Sequence, residues 1–568
     1  MNTISKILNI SSPKLRRYYL FFFTLSILNA VIEIAAISSI LPLLDILINK
    51  SNFFIDKINN FINNYINFDL NNLTNVIYII TGIFIIKFIF NLFSVFFYQK
   101  IIYELRIHLS NLTLSNYIFQ DFSFFINNNS SRLIRNISLE IPKIIFGVVS
   151  MFLSLVNEAV MIIFILSLLM IVNFKASILI FFILVFFGSI FLFFSKKKIN
   201  RLGSQRIKAD GLMMKSIKEI FENIKIMKIY QKEKTFLKIF DNFNSISAKS
   251  HMFYNFFAQS PRLFYEFILI FALLLFCVFY GSYQEKIIYV LAIFAASAIR
   301  LIPSLSKFLS AIQNIRFDSL SLNELYKDIK LNPSKQKNFS KKINFNDKIK
   351  FKDISFKYPS SERFILENVN LEVNKNEFIG IFGLSGSGKS TFFDLVSGLI
   401  PPTKGKIYID DLELNDENIY DWQSKIGYMM QDTILMDTTI TENIAFGENS
   451  NKFSAEKIDQ SVEKSQLKTF INSLPDKENT ILGERGLKLS GGERQRIALA
   501  RTFYFYSEIL LLDEITNSLD NINEALVLET IKNIKNKTKI FITHNLNSLK
   551  YCDKIFHVNN GKIEIYKE

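Results

Sequence analysis

Residues 383–391 read Gly383-Leu384-Ser385-Gly386-Ser387-Gly388-Lys389-Ser390-Thr391, and no other stretch constrains the fold as tightly. The spacing G-x-x-x-x-G-K-[ST] is a phosphate-binding loop set between a strand and a helix. Its glycines let backbone N–H groups turn inward around phosphates. Lys389 supplies a point charge near the terminal phosphates, and the Ser390 hydroxyl is placed to hold Mg²⁺. The loop by itself says only that a nucleoside triphosphate binds. A second motif, Leu489-Ser490-Gly491-Gly492-Glu493-Arg494-Gln495, narrows the reading.

Together, in this order and spacing, the two motifs resemble the nucleotide-binding domain of ABC transporters. Ile509-Leu510-Leu511-Leu512 is a buried-strand run that ends in Asp513 and Glu514. The resemblance implies that Asp513 orients the Mg²⁺ shell and that Glu514 polarises the attacking water, a role that requires a base within reach of the nucleophile. Gln431, after Ile426–Met430, matches the loop that senses Mg²⁺ and the membrane domain. His544, after Ile540-Phe541-Ile542, matches the histidine that contacts the γ-phosphate. Ser518-Leu519-Asp520 matches the loop at the dimer seam, and Tyr358 the aromatic that stacks on adenine. Gly483-Glu484-Arg485-Gly486 looks like the loop that marks exporters.

Taken singly, each match has a simpler explanation. Tyr358 could be a strand aromatic, His544 a satisfied surface histidine, and Asp513-Glu514 a strand cap. The whole set, in family order from Tyr358 to His544, removes those explanations. The departures are Ile515-Thr516-Asn517 after Glu514 and Met429-Met430 before Gln431, and neither touches a group that carries chemistry. The cofactors implied are ATP and Mg²⁺, the latter held by Ser390, Gln431 and Asp513. Two copies would have two competent sites, each loop facing the other copy's Ser490-Gly491-Gly492, so the working unit is expected to be a homodimer.

The amino-terminal half is of another kind. A hydrophobic fraction of 49% with 59 Phe is too apolar for a water-soluble chain of 568 residues. Apolar runs near the length that crosses about 30 Å of hydrocarbon fall at about 18–42, 75–98, 147–172, 174–195, 260–282 and 287–314. Six spans exclude the soluble ABC ATPases of DNA repair and translation. The expected fold class is thus an all-α six-span transmembrane domain (1–326), a Lys/Asn-rich linker (327–348) and an α/β phosphate-loop ATPase domain (349–568). Lys6, Lys14, Arg16 and Arg17 before the first span, and Lys196-Lys197-Lys198 after the fourth, place both termini and the ATPase in the cytosol of a bacterial inner membrane. The first run has no cleavage-site pattern and reads as a retained helix.

The formal charge of +15 suits loops that face anionic lipid. With no basic stripe interleaved with aromatics, nucleic acid is not an expected partner. The two cysteines, Cys277 and Cys552, lie far apart and have no metal-ligand spacing. The long connections after spans 2 and 4 resemble those of ABC exporters, in which short coupling helices meet the ATPase. Phe122–Arg135 and Phe221–Tyr230 occupy those positions.

Charge inside a span is expensive and defaults to a functional hypothesis. Lys87 and Arg300 each lie roughly 18 Å from the outer end of a span at 1.5 Å per residue. Arg262 lies at the cytosolic end of the fifth. They are candidates for compensating an anionic substrate, against the alternative that Glu158 and Glu266 simply pair with them or that Arg262 snorkels. Between spans 1 and 2, Phe54, Ile58, Phe61 and Tyr65 share one face of an amphipathic helix, lying on the outer surface or packed back on the spans.

Three strings, Ile32-Glu33-Ile34 with Leu41-Pro42-Leu43-Leu44, Pro261–Glu266 and Arg300–Ser304, resemble the lipid-linked oligosaccharide flippases of bacterial protein N-glycosylation, the PglK type. That resemblance implies a polyprenyl-pyrophosphate glycan as substrate, with membrane lipid and a second copy as partners. A lipid-A, peptide or multidrug exporter on the same scaffold is the alternative.

Overall fold

The computed structural model describes residues 3–39, 43, 73–280, 284–331, 341–359, 361–449, 452–483, 486–505, 507–516 and 521–566. The expected external helix around 53–68, the middle of the linker, Glu484-Arg485 and the Ser518-Leu519-Asp520 loop lie outside the described residues. The chain divides into two compact units, Met1–Gln120 with Phe125–Pro333, and Asp121–Phe124 with Ser334–Glu568.

The first unit is helical. Its long helices are α1 (Pro13–Ser38), α2 (Leu73–Ile118), α3 (Ser150–Val172), α4 (Phe174–Glu222), α5 (Glu233–Tyr280) and α6 (Gln284–Ile329). Among the described residues, five helical stretches are long and apolar enough to cross a membrane; α1, α2 and α4 are three of them, and Ser130–Val172 and Ala292–Ile329 the others. The remaining expected span, about 260–282, falls on α5. At 1.5 Å per residue the 46 residues of α2 and the 49 of α4 reach about 70 Å, more than twice the hydrocarbon thickness. The helices therefore continue well past the apolar runs that located them.

Local chemistry sets their ends. Pro13 starts α1 behind the Ser12 cap, whose side chain accepts from the Leu15 N–H. Asn173 alone separates α3 from α4, with extended backbone and a side chain that accepts from the Ala176 N–H at 3.1 Å. The connection between the expected spans 147–172 and 174–195 is thus a single capping residue. The two coupling positions are each short helices, Phe122–Asn127 with Ser130–Arg135, and Ile224–Ile229.

Beyond the apolar stretches, a buried ionic network ties four helical segments together. Arg206 of α4 is fully buried and gives Nη1 to Asp318 Oδ1 of α6 at 2.8 Å and Nη2 to Ser321 at 2.7 Å. Glu140 Oε2 lies 3.6 Å from the same guanidinium, and the Phe317 ring stacks beneath it. Lys143 pairs with Asp210, which also accepts from Ser247 of α5 at 2.6 Å. The backbone bends to accommodate this cluster. Asn136–Glu140 and Ile144–Val149 are π-helical, a winding that is rare and confined to special sites. A Cβ on Gly147 would stand 1.8 Å from Asp318 Oδ2, so only glycine fits there.

The second unit is α/β. A four-stranded antiparallel sheet runs β2-β1-β4-β5, from Lys348–Phe356 (β1), Leu366–Asn374 (β2), Lys404–Ile409 (β4) and Leu412–Glu413 (β5). A six-stranded sheet runs β10-β9-β3-β8-β7-β6, from Phe378–Gly383 (β3), Ile426–Met429 (β6), Ile509–Asp513 (β7), Thr538–Ile542 (β8), Lys554–Asn559 (β9) and Lys562–Ile565 (β10). All its pairs are parallel except β9–β10. Every residue of β7 and β8 is buried, as befits central parallel strands covered on both faces. Phe351, Phe392, Phe393, Trp422, Leu511 and Ile540 belong to the main core, which draws on both sheets and on the helix after the phosphate loop.

Removing Arg206 strands Asp318 and Glu140 as buried carboxylates, and breaking such a pair costs about 3–5 kcal/mol. Arg206→Ala is expected to lower the thermal midpoint of the detergent-purified protein sharply. An Arg206→Ala protein that melts like the wild type would show that the network does not hold the helices.

Candidate functional site

Three parallel strands deliver the chemistry to one edge of the six-stranded sheet. β3 runs into the phosphate loop, β7 ends at Asp513 and β8 ends two residues before His544. Their registers lock these ends together. Asp513 sits opposite Ile542, Glu514 N–H donates to the Ile542 carbonyl at 3.0 Å, and Thr543 N–H donates to Ile381 at 3.1 Å. The loop, the carboxylate pair and the histidine therefore share one sheet edge.

The loop itself is shaped for phosphate. Gly386 and Gly388 have positive φ (76° and 108°), a backbone region that suits glycine. A Cβ on Gly383 would stand 2.3 Å from the Val558 carbonyl, whereas one on Gly386 would meet nothing within 4 Å. Lys389 begins the helix α7 (Lys389–Val396), and its ammonium donates to the carbonyls of Gly383 and Leu384 at 3.0 and 2.9 Å. Burial lowers the Lys389 pKa, opposed by Glu514 and Asp513 nearby. Ser387 Oγ is buried with no hydrogen-bond partner. An unsatisfied hydroxyl, open space inside the loop and a cation folded onto carbonyls fit a triphosphate chain. Leu384 and Ser385 form the exposed rim, and Thr391 Oγ1 lies 3.5 Å from the Tyr358 hydroxyl.

The Mg²⁺ residues also fit. The Ser390 hydroxyl lies beside Asp513, whose pKa burial pushes up to about 6. A hydroxyl beside a carboxylate that is costly to keep charged without a cation is a donor set suited to Mg²⁺. Glu514 Oε1 lies 2.8 Å from His544 Nε2, and its Oε2 accepts from Gln431 Nε2 at 2.6 Å. Glu514 is also held at φ +50°, a strained setting for a residue with a side chain. The carboxylate is thereby clamped from both sides between the loop after β6 and the end of β8. Tyr358 packs edge-on against Phe356 at 5.1 Å between ring centres.

Among the described residues, Ser490 keeps local company. Its hydroxyl accepts from Glu493 N–H while Glu493 Oε2 accepts from Ser490 N–H at 2.7 Å, a reciprocal cap at the start of α8 (Gly491–Tyr504). Leu489 packs on the core cluster beneath it, Gly491 and Gly492 open the helix, and Gln495 is buried on its inner side. The Asp520 expectation lies outside the described residues.

Two site residues went unnoticed in the sequence. Asp394, on α7 one turn after Ser390, is pushed up to about 6, first by burial and then by Asp513. Tyr428 of β6 has its hydroxyl raised by burial with Asp394 and Asp513 beside it. The i, i+4 spacing of Ser390 and Asp394 was the available signal.

In the helical unit, the candidate substrate residues are arranged differently from the pairing considered above. Lys87 and Arg300 converge on Glu33 of α1, not on Glu158 or Glu266. Lys87 Nζ lies 2.9 Å and Arg300 Nε 3.6 Å from Glu33 Oε1. The physical reason is placement. Glu33 is the buried carboxylate at their level, while Glu158 faces Lys307 at 3.9 Å. Arg262 pairs with Glu266 one turn away at 2.8 Å and is largely exposed, so the structure does not bring it to the other two.

Two family models match this chain: the ABC transporter transmembrane region over residues 19–287 and ABC transporter over residues 366–517. A solved bacterial Atm1-family ABC exporter with ATP bound shares the fold, with a TM-score of 0.79, 20% identity and coverage of 97% of this chain and 95% of that one. The chain accordingly joins an ABC transporter transmembrane region to an ABC transporter ATPase domain, in the fold of an ABC exporter. A multidrug resistance ABC transporter ATP-binding and permease protein of Lactococcus lactis subsp. lactis is 37% identical over 213 residues, 37% of this chain and 36% of that protein. The leukotoxin translocation ATP-binding protein LktB of Mannheimia glucosida is 40% identical over 216 residues, 37% of this chain and 30% of the relative. The matches thus span about a third of each curated relative's length.

Because Gln431 and His544 hold Glu514 in a fixed position, Glu514→Gln is expected to keep ATP binding. It should lower hydrolysis at least about 10²-fold, the scale of lost general-base catalysis. Turnover near wild type in a phosphate-release assay would remove Glu514 from that role.

Proposed function

We propose that this chain is half of a dimeric exporter that hydrolyses ATP to move an anionic amphiphile across a bacterial inner membrane. The substrate class that fits best is a polyprenyl-pyrophosphate-linked oligosaccharide. Lys389 leaves the two carbonyls for the terminal phosphates, and Ser387 satisfies its free hydroxyl there. Ser390, Asp513 and Gln431 would hold Mg²⁺, which would supply charge neutralisation on the phosphates when bound. Glu514 accepts the proton of the attacking water while His544 steadies the carboxylate and reaches the γ-phosphate. Tyr358 offers its ring to adenine. The local partners of Ser490 support a shared site, since the signature then serves the loop of a second copy.

The observation that carries the substrate reading is the Lys87–Glu33–Arg300 cluster. Two cations against one carboxylate leave a net positive charge deep in the expected spans, where uncompensated charge is costly. A pyrophosphate cannot cross hydrocarbon unaided, and such a cluster lowers that cost. Export of another amphiphile, a lipid A, peptide or drug, is a second reading, and the multidrug resistance and leukotoxin translocation relatives support its drug and polypeptide forms. The ATPase unit facing the cytosol belongs to the same proposal.

Arg300→Ala and Lys87→Ala are expected to lose flipping of a polyprenyl-pyrophosphate glycan in vesicles while basal ATP hydrolysis largely survives. Arg300→Lys, which keeps charge but not the planar fork, should be milder. Normal flipping by both alanine variants would overturn the anion reading.

The shared site has its own test. Lys389→Ala and Ser490→Ala should each be inactive alone, and mixed dimers should regain about one working site. Confirmed mixed dimers without recovery would argue against a shared site.

A further inference from the structure

The helical unit contains a second feature, apart from the Lys87–Glu33–Arg300 cluster. Between α4 and α5 lies an apolar cavity of about 530 Å³ walled by Phe187, Phe191, Phe194, Phe257, Phe264 and Tyr265. A neighbouring cavity of about 330 Å³ shares Gly188, Tyr265 and Leu309 with it, so the two form one groove along α4. Gly188 keeps the passage open, since a Cβ there would stand 2.6 Å from the Tyr265 hydroxyl. Pro261 of α5 lines the groove, and proline removes one helical hydrogen bond at that point.

One end of this groove is basic. Ser195 lines it, and Lys196, Lys197 and Lys198 follow directly on α4. The Lys198 ammonium lies over the rings of Phe253 and Phe257, at 5.2 and 5.3 Å from their centres, and Phe257 is itself part of the wall. Among the described residues, none of the three lysines forms a salt bridge. On α5, exposed Arg262 is paired with Glu266. An apolar slot on a helix long enough to span a membrane, ending in unneutralised ammonium groups, has the two chemistries of a lipid in the right order.

We propose that this groove is a binding site for an anionic phospholipid of the bilayer, one acyl chain lying along the aromatic wall and the phosphate drawn to the Lys196–Lys198 end, where the Lys198 ammonium stands beside the wall. The site is separate from the Lys87–Glu33–Arg300 cluster, with which it shares no residue. Charge complementarity selects the occupant, because a zwitterionic lipid would fill the slot equally well but gain little from three lysines.

The test uses the full chain in nanodiscs of phosphatidylcholine, doped with photoactivatable phosphatidylglycerol or with photoactivatable phosphatidylcholine. Crosslinks are mapped by mass spectrometry. The phosphatidylglycerol probe is expected to label the segments 187–195 and 256–264 at least about tenfold more than the phosphatidylcholine probe, because basic residues near the membrane surface attract anionic lipid. Lys196→Gln/Lys197→Gln/Lys198→Gln should abolish that preference while leaving the protein folded, because among the described residues these side chains have no carboxylate partners. Ser260→Trp, which fills the groove and leaves the lysines, should remove labelling by both lipids. Equal labelling by the two lipids, or a preference that survives the triple substitution, overturns the proposal. So does displacement of the phosphatidylglycerol probe by a stoichiometric polyprenyl phosphate, which would make the slot part of the transport path.

Discussion

The active edge of this protein depends on the parallel pairing of β3, β8 and β7. A parallel ladder puts every strand's carboxyl end on the same side, so three segments far apart in sequence must present their loops together. Here those loops are the phosphate loop, the Asp513-Glu514 pair and the His544 turn. The ties Glu514 N–H to Ile542 and Thr543 N–H to Ile381 continue the ladder one step past the strands. The strained φ of Glu514 is the consequence. An ordinary extended residue would carry the chain onward, whereas the left-handed turn swings the carboxylate to where Gln431 and His544 meet it.

The helical unit obeys a different constraint. In water an unpaired lysine is harmless, but in a span or a dry helical bundle each charge must find a partner. Arg206 finds Asp318, Ser321 and Glu140, and the backbone accepts two π-helical stretches and an obligatory glycine to allow it. Lys87 and Arg300 share Glu33, which leaves Arg300 Nε beyond hydrogen-bond distance. The first cluster sets Arg206 and Lys143 against Asp318, Asp210 and Glu140, whereas the second sets two cations against one carboxylate.

Much of this was legible in the sequence because the relevant signals are local. The phosphate loop, the strand run ending at Asp513-Glu514 and the signature are contiguous strings whose spacing fixes their geometry. The apolar runs located α1, α2, α3, α4 and much of α6, but their ends were not visible. Hydrophobicity stops where the hydrocarbon stops, whereas α2 and α4 continue into polar, helix-favouring sequence. Charge partners were illegible for a related reason. Glu33, Lys87 and Arg300 sit on three helices, and which carboxylate faces which cation depends on helix rotation, which apolar runs leave unspecified. The same holds for Glu140, Arg206 and Asp318. Asp394 was readable from its spacing to Ser390 but carried no family motif to draw attention to it.

The signature segment shows how one short string can hold a helix and still offer a ligand contact. Ser490 and Glu493 cap each other, so two of the orphan N–H groups at the start of α8 are satisfied within the chain. The cap uses only an acceptor lone pair of the Ser490 oxygen, and its own proton remains to be donated. Gly491 and Gly492 add no Cβ, so their N–H groups stay accessible at the positive end of a 14-residue helix. Alanine at 490 would remove the cap and the hydroxyl donor together, whereas threonine would keep both and add only a methyl group. The helix terminus is therefore preorganised by Glu493 before any phosphate arrives, and the contact it can make requires no rearrangement of the chain that supplies it.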